Sequence, residues 1–450
     1  MTALNVAKFG GTSVADATAM GLSADVVVAN PDTRLVVLSA SAGVTNLLVA
    51  IANGQLDDAA LAEHLGKLHQ IQHNILTALG NPAEVVAIIN SQLDEVATLA
   101  AQARQHSDAE LADRLIAYGE MMSSRLFTEL LNQRGHRAVW ADVRTLLRTD
   151  SRFGKANVDL DTTRAQCQRE IGGLMNDAIV VTQGFIGADS EGRTTTLGRG
   201  GSDYSAALLG EALDVATIEI WTDVPGIYTM DPRLVSRAKP IPEITFAEAA
   251  EMATFGAKVL HPSTLQPAVR QNIPVFVGSS RDPAAGGTWI RAETSSSPLF
   301  RAVALRRNQV LLTLHSPNMV HAYGFLAEVF GILARHRISV DLITTSEVSV
   351  ALTLDHTGSQ TNGDSLLSEA VLAELGALCK VKVETGLSLV ALIGNRMSEV
   401  NGVGGQVFAA IDSHNIRMIC YGASTHNLCF LVNEAEAVNI VNCLHHGLIG

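Results

Sequence analysis

The chain has 450 residues, 47% hydrophobic and 17% charged, with 32 basic against 45 acidic side chains and a net charge of −13. That length admits two or three domains with full cores, and that charge balance excludes a disordered chain and wholesale binding to nucleic acid or an anionic membrane surface. No cationic stretch with an apolar core opens the chain, no apolar run reaches ~18 residues, and the five cysteines are scattered without a CxxC pair, which points to a cytosolic protein with free thiols.

Residues 4–9 (LNVAKF) read as a short strand, broken by Gly10 and Gly11 and followed by a helical run. Strand, glycine turn and helix place Lys8 and the turn amides where a phosphate can be held, although the turn is neither a Walker A sequence nor GxGxxG. A surface lysine at a strand end is the plain alternative. Residues 35–40 form an apolar strand with a small polar turn (41–46) behind it. Ligands collect at such carboxyl ends, so Thr45 is a candidate hydrogen-bonding residue or a helix cap. Residues 57–133 read as a helical insert, broken strongly only at 80–82. Within it, Tyr118-Gly119-Glu120 lowers helix propensity in mid-helix without evident packing gain. Glu120 is either the partner of a ligand amine or an exposed glutamate.

Residues 139–143 and 179–182 are further strands, leading to the loop 194–205, TTTLGRGGSDYS. Gly198, Gly200 and Gly201 let backbone approach a ligand, and the helix start beyond them favours an anion. Arg199 and Asp203 add one cation and one acid. A strand at 217–222 ends in Thr222, Asp223 and, farther on, Tyr228 and Arg233, the last placed to reach a phosphate. A helix at 247–253 precedes Lys258, a second lysine for the same site, and His261, a structural histidine beside a proline. Residues 273–277 close the strand series. The Gly-, Ser-, Thr- and Pro-rich stretch 279–298 marks a domain boundary.

The remainder contains an internal repeat at an offset of 78 (402 − 324), pairing the stretch from Gly324 to Ile338 with that from Gly402 to Ile416. Each copy reads as strand, glycine turn, amphipathic helix, strand, hairpin strand, helix, the order of an antiparallel ferredoxin-like sheet backed by helices. The copies diverge where Asp341 faces Ile419 and Ser339 faces Arg417. An acid at an otherwise apolar strand position suits a ligand-binding first copy, with an edge or turn carboxylate as the plain alternative.

KFGGTSV (8–14), SASAGVTN (39–46), YGE (118–120), TTLGRGGSD (195–203), WTDVPGIYTMDPR (221–233) and FGAKVLHP (255–262) together resemble the aspartokinases of the amino acid kinase superfamily, in their monofunctional, lysine-sensitive form. The resemblance covers nearly the whole chain. It implies an α/β amino acid kinase domain, a mainly parallel sheet between helices, over 1–292. Tandem βαββαβ ACT modules would follow over 299–450, as two repeats at about 310–385 and 386–450 that can interleave. The implied reaction is ATP + L-aspartate → ADP + 4-phospho-L-aspartate, the entry to lysine, threonine and methionine.

Carried over residue by residue, Lys8 resembles the lysine that stabilises the transferring phosphoryl group, and Gly10 and Gly11 would lend amides to the phosphates. Arg199 would pair with the substrate α-carboxylate, Glu120 with its ammonium, and Thr45 and Ser202 would add hydrogen bonds. Asp203 would orient Lys8 and the substrate. Thr222, Asp223, Tyr228, Arg233 and Lys258 are similar to nucleotide-binding positions. A carboxylate acceptor is already anionic, so the want of a general base fits the chemistry. Magnesium would accompany ATP, without an evident carboxylate pair to hold it. In the first repeat, Met319, Gly324, Phe325, Leu326, Ser339, Val340, Asp341, Ser346 and Glu347 match positions that bind inhibitory lysine at a homodimer contact, with a tetramer as the larger assembly.

Two rival readings start from the same residues. Another amino acid kinase, acting on glutamate, N-acetylglutamate or a nucleoside monophosphate, would usually lack the KFGGTSV opening and the tandem tail. A non-catalytic amino-acid sensor would have lost Lys8, Arg199, Asp203 and Lys258, all of which are present.

Overall fold

The structure, a computed structural model, describes residues 4–256, 262–319, 323–355 and 366–450, which form two compact units. Among the described residues, the first comprises 4–227, 240–250 and 262–295; the second comprises 228–239, 251–256, 296–319, 323–355 and 366–450.

The first unit is built on an eight-stranded sheet. Its strands are β1 (Asn5–Phe9), β2 (Thr33–Leu38), β3 (Ala138–Trp140), β4 (Ile179–Gln183), and, after the hairpin β5 (Ile186–Ala188) and β6 (Thr194–Thr196), β7 (Thr217–Thr222), β8 (Glu243–Thr245), β9 (Val275–Ser279) and β10 (Gly287–Arg291). Their order is β3-β4-β2-β1-β7-β9-β10-β8, parallel throughout except where β10 runs against β9. β1 and β4 are buried along their whole length, as strands covered by helices on both faces must be. The helices are α1 (Ala17–Ala29), α2 (Val44–Ala52), α3 (Asp58–Ala78), α4 (Ala83–Gln105), α5 (Ala109–Ile116), α6 (Tyr118–Gln133), α7 (Leu160–Glu170), α8 (Gly201–Ala212), α9 (Phe246–Thr254) and α10 (Pro262–Gln271).

The helical insert is therefore four helices, α3 to α6. Leu68, Ile75, Ile89, Leu93 and Leu126 from it join Phe9 and Leu38 of the sheet in one core. Two expectations change. The strand series does not close at 273–277, because β10 lies inside the small, polar stretch read as a boundary. There Gly287 fits a position where a Cβ would sit 2.3 Å from the Val277 carbonyl oxygen. The strand expected at 139–143 ends at Trp140, and Val143 begins a short 3-10 turn.

The second unit contains one six-stranded antiparallel sheet. Its elements are β11 (Ala302–His315), α11 (Phe325–Arg335), β12 (Ser339–Thr345), β13 (Ser349–Asp355), α12 (Glu369–Leu378), β14 (Lys380–Ile393), α13 (Val403–Ala410), β15 (Ile416–Tyr421), β16 (Asn427–Asn433) and α14 (Ala437–Leu444), with strand order β12-β13-β11-β14-β16-β15. The two repeats interleave through their long central strands. Residues 311–315 of β11 pair with 380–384 of β14 to complete the first copy, and residues 302–306 pair with 389–393 to complete the second. Each strand changes module at a left-handed residue, Asn308 (φ 57°) and Gly386 (φ 71°). Gly324 and Gly402, equivalent in the repeat, cap α11 and α13 with φ of 89° and 80°, a conformation glycine adopts without steric cost.

Candidate active site

β1 pairs in parallel with β2 on one side and β7 on the other, so three strands end together at one edge of the sheet. This is where an open α/β sheet collects ligands. Lys8 is the penultimate residue of β1 and only 8% exposed. A buried ammonium needs a partner, and its Nζ lies 2.6 Å from Oδ1 of Asp203. Asp203 stands in the first turn of α8, behind Gly200 at φ 74°. Gly11 meets Ala40 across the cleft floor: a Cβ there would come within 2.8 Å of the Ala40 carbonyl oxygen.

Glu120 is the residue whose setting differs most from the sequence reading. It lies in the first turn of α6, not in mid-helix, and it is 3% exposed. Oε1 accepts a hydrogen bond from the Ala40 amide at 3.1 Å, and Oε2 is buried with no protein partner. Burial pushes its carboxyl up to about 8. The exposed-glutamate alternative is therefore overturned. Gly119 has a packing reason after all, because a Cβ would sit 2.7 Å from the Ala40 Cβ and 3.3 Å from side chains of Val44 and Leu48. The missing side chain lets α6 press against α2 and carries Glu120 into the wall.

Lys8, Gly11, Thr45, Glu120, Arg199, Ser202 and Asp203 all line one cleft of about 560 Å³. Thr45 is the second residue of α2, which is capped by Gly43 with no side-chain bond, so it does not serve as the helix cap. Arg199 is exposed and, among the described residues, has no ion-pair partner. Gly10 departs from expectation: its amide donates to the Trp221 carbonyl oxygen at 3.1 Å and is spent within the sheet edge. The sequence reading missed Phe185, which lines the cleft at φ 71°. That strained backbone is held from both sides, its N–H donating to Ser205 Oγ and its carbonyl accepting from Leu197.

Thr222 and Asp223 lie at the carboxyl end of β7, beside the end of β1, and Thr222 donates to Asp223 Oδ1 at 3.2 Å. Neither is in the cleft wall. Tyr228 and Arg233 belong to the second compact unit, where Arg233 pairs with Asp231 at 2.7 Å. Lys258 and His261 lie outside the described residues. No three His, Cys, Asp or Glu side chains converge on a point among the described residues.

In the first repeat, Asp341 sits on edge strand β12 where its register with β13 shifts, and forms an ion pair with Arg306. Met319, Phe325 and Val340 pack against the core formed by Leu312, Val329 and Leu352. Leu326, Ser346 and Glu347 are exposed, Gly324 caps α11, and Ser339 pairs with Asp355. The candidates thus divide between exposed or partly exposed positions and positions packed against the core.

The profile of the amino acid kinase family matches residues 3–279, and that of the ACT domain matches residues 390–448. Over 448 residues, all of both chains, the sequence is 59% identical to lysine-sensitive aspartokinase 3 of Escherichia coli. The chain belongs to the aspartokinase family. This aspartokinase is also 36% identical to the chloroplastic aspartokinase 3 of Arabidopsis thaliana, matching 98% of this chain and 80% of the plant protein. Its fold superposes on E. coli aspartokinase III solved with aspartate and ADP, described as the R-state, with a TM-score of 0.91 at 59% identity, covering 99% of this chain and 100% of that one. The same enzyme with lysine and aspartate, described as the T-state, gives 0.87 at 58% identity over the same shares.

Proposed function

We propose that the cleft transfers the γ-phosphoryl group of ATP to the side-chain carboxylate of L-aspartate, and that L-lysine bound to the first ACT copy inhibits the reaction. The observation that carries the catalytic half is the convergence of a paired Lys8, an uncommitted Arg199 and a buried, half-satisfied Glu120 on one cleft. An α-amino acid offers an ammonium and a carboxylate. Glu120 Oε2 suits the first, and the Arg199 guanidinium suits the second as a planar, bidentate partner. Thr45 and Ser202 add hydroxyl donors on the same wall.

The acceptor carboxylate needs no base, so the work of the site is to bring anions together and neutralise charge on the transferring group. Lys8 is the cation for that charge, with Gly11 beside it, and Asp203 keeps it aimed. Thr222 and Asp223 at the neighbouring strand end, with Tyr228, Arg233 and Lys258, are the proposed nucleotide contacts. Magnesium would enter with the nucleotide, held mainly by its phosphates and by water. It would supply further charge neutralisation.

For regulation, Asp341 is the proposed partner of the lysine ammonium, with the glycine turn at Gly324 and the start of α11 toward its carboxylate. Exposed Tyr323, Leu326, Phe330 and Ile343 in that copy support assembly of two chains there, in a dimer or tetramer. An aspartate-dependent hydroxamate assay, with lysine, threonine or methionine added in turn, tests the reading. Activity with aspartate that lysine suppresses is expected. No turnover of aspartate overturns the catalytic half, and suppression by threonine alone overturns the regulatory half.

A further inference from the structure

Asp113 stands on α5, outside every motif named above although only five residues (118 − 113) before Tyr118, and it is 2% exposed and takes three hydrogen bonds. Its Oδ2 accepts from the backbone amides of Gly154 at 2.8 Å and Thr196 at 2.7 Å, and its Oδ1 accepts from the Thr196 hydroxyl at 2.7 Å. Thr196 ends β6, three residues before Arg199. Gly154 belongs to a loop whose carbonyl oxygen lies only 3.3 Å from where a Cβ on Gly198 would be. The Ala156 amide also donates to the Thr196 carbonyl oxygen. One carboxylate thus fastens the end of β6, from which the Arg199 loop springs, to the neighbouring loop that Gly198 approaches.

The other end of the link is covalent. α5 runs into α6 through the single residue Ala117, which caps both helices, so Asp113 and Glu120 share one continuous helical path. An amino acid held at its ammonium by one element and at its α-carboxylate by another requires those elements at a fixed separation, and a misplacement of ~1 Å can cost on the order of 100-fold.

We infer that Asp113 is a positioning residue for the amino-acid substrate: it ties the Arg199 loop to the helix that carries Glu120 and so sets the spacing between the carboxylate-binding and ammonium-binding groups. This rests on the proposed division of labour between Arg199 and Glu120. It extends that division to a residue that touches no substrate.

Asparagine is nearly isosteric at this position and can keep the network. Its amide oxygen accepts both backbone N–H groups, and its NH₂ donates to the Thr196 hydroxyl, which is also an acceptor. Alanine cannot. Steady-state kinetics of the full-length enzyme with Asp113→Ala, Asp113→Asn, Thr196→Val and Arg199→Ala test the inference, with thermal melting of each. The expected result is a KM for aspartate raised on the order of tenfold or more by Asp113→Ala, a smaller rise for Thr196→Val, the KM for ATP within about twofold of the parent, and recovery in Asp113→Asn. Should Asp113→Ala fail to fold, Thr196→Val and Asp113→Asn still decide. Unchanged aspartate KM in both Asp113→Ala and Thr196→Val, or equal shifts in both KM values, overturns the inference provided Arg199→Ala raises the aspartate KM selectively. If Arg199→Ala itself lacks that selectivity, it is the assignment of Arg199 that falls.

Discussion

Nζ of Lys8 and Oδ1 of Asp203 lie 2.6 Å apart, with side chains only 10% and 17% exposed, although 195 positions (203 − 8) separate them in the chain. The pair joins the end of β1 to the first turn of α8, and it is electrically neutral until a polyanion arrives. Asp203 therefore compensates the buried Lys8 charge, and on the proposed reading it also keeps Lys8 aimed at the transferring group. Lys8→Met should lower kcat on the order of 100- to 1,000-fold, the range for losing one preorganised cation or donor at a transition state. Asp203→Asn should lower it less, and the double variant should be no worse than Lys8→Met, because two members of one unit are not additive. Steady-state kinetics of all three variants check this, and strictly multiplicative losses would show that the two groups act independently.

Arg199→Ala should raise the KM for aspartate far more than that for ATP. A hydrogen bond to a charged group contributes roughly 1.5–3 kcal/mol, so the rise should be roughly 10- to 150-fold. Varying each substrate at saturation of the other measures the split. Equal effects on both would place Arg199 between the substrates rather than on the amino-acid side.

The cleft edge was legible in the sequence because its parts are local: an apolar strand, then glycine, then a small polar residue. Lys8 stands at the end of such a strand, Arg199 in such a turn, and Thr45, Ser202 and Asp203 in the first turn of the helix beyond one. Glu120 was legible as a residue but not as a setting, since its burial comes from α6 pressing on α2, a contact between helices separated by α3, α4 and α5. Asp113 carried no signal at all. It is one acid among many on an amphipathic helix, and its three donors come from 41 and 83 positions away. The strand β10 was hidden for the opposite reason: it opens on Gly287, which fits because Phe276 and the Val277 carbonyl crowd that position. The repeat announced two modules, while their interleaving depends on two long strands changing partners at Asn308 and Gly386.

Glu120 gives the enzyme a pH signature. Its carboxyl is raised from an ordinary 4.5 to about 8 by burial, with the Lys8 charge acting weakly the other way. An acid whose folded-state pKa is raised leaves the folded state holding a proton that the unfolded chain has lost. Stability contributed this way is full below pH ~4.5 and declines as pH rises toward 8. Binding an ammonium needs the ionised form, so the KM for aspartate should fall as pH rises from 6.5 to 8 and level off above. In Glu120→Gln that pH dependence should vanish, with a higher KM throughout, and the melting temperature should drop less between pH 6 and 8.5 than in the parent. A parallel pH profile in parent and Glu120→Gln would remove Glu120 from this role.

Asp341 is matched in the second repeat by Ile419, and its ion pair with Arg306 shows how an acid is accommodated on edge strand β12. The pair also fixes the direction of its substitution. Asp341→Ala removes the partner proposed for the lysine ammonium and leaves the Arg306 guanidinium, 21% exposed, without that carboxylate. Attraction for a second cation is replaced by repulsion, in a setting where charges are screened less than at an open surface. Lysine at concentrations that silence the parent should leave Asp341→Ala active, with kcat and both KM values close to the parent's, because the kinase unit is untouched. Titrating lysine against both enzymes in the hydroxamate assay measures it, and an unshifted inhibition curve would move the lysine site away from β12.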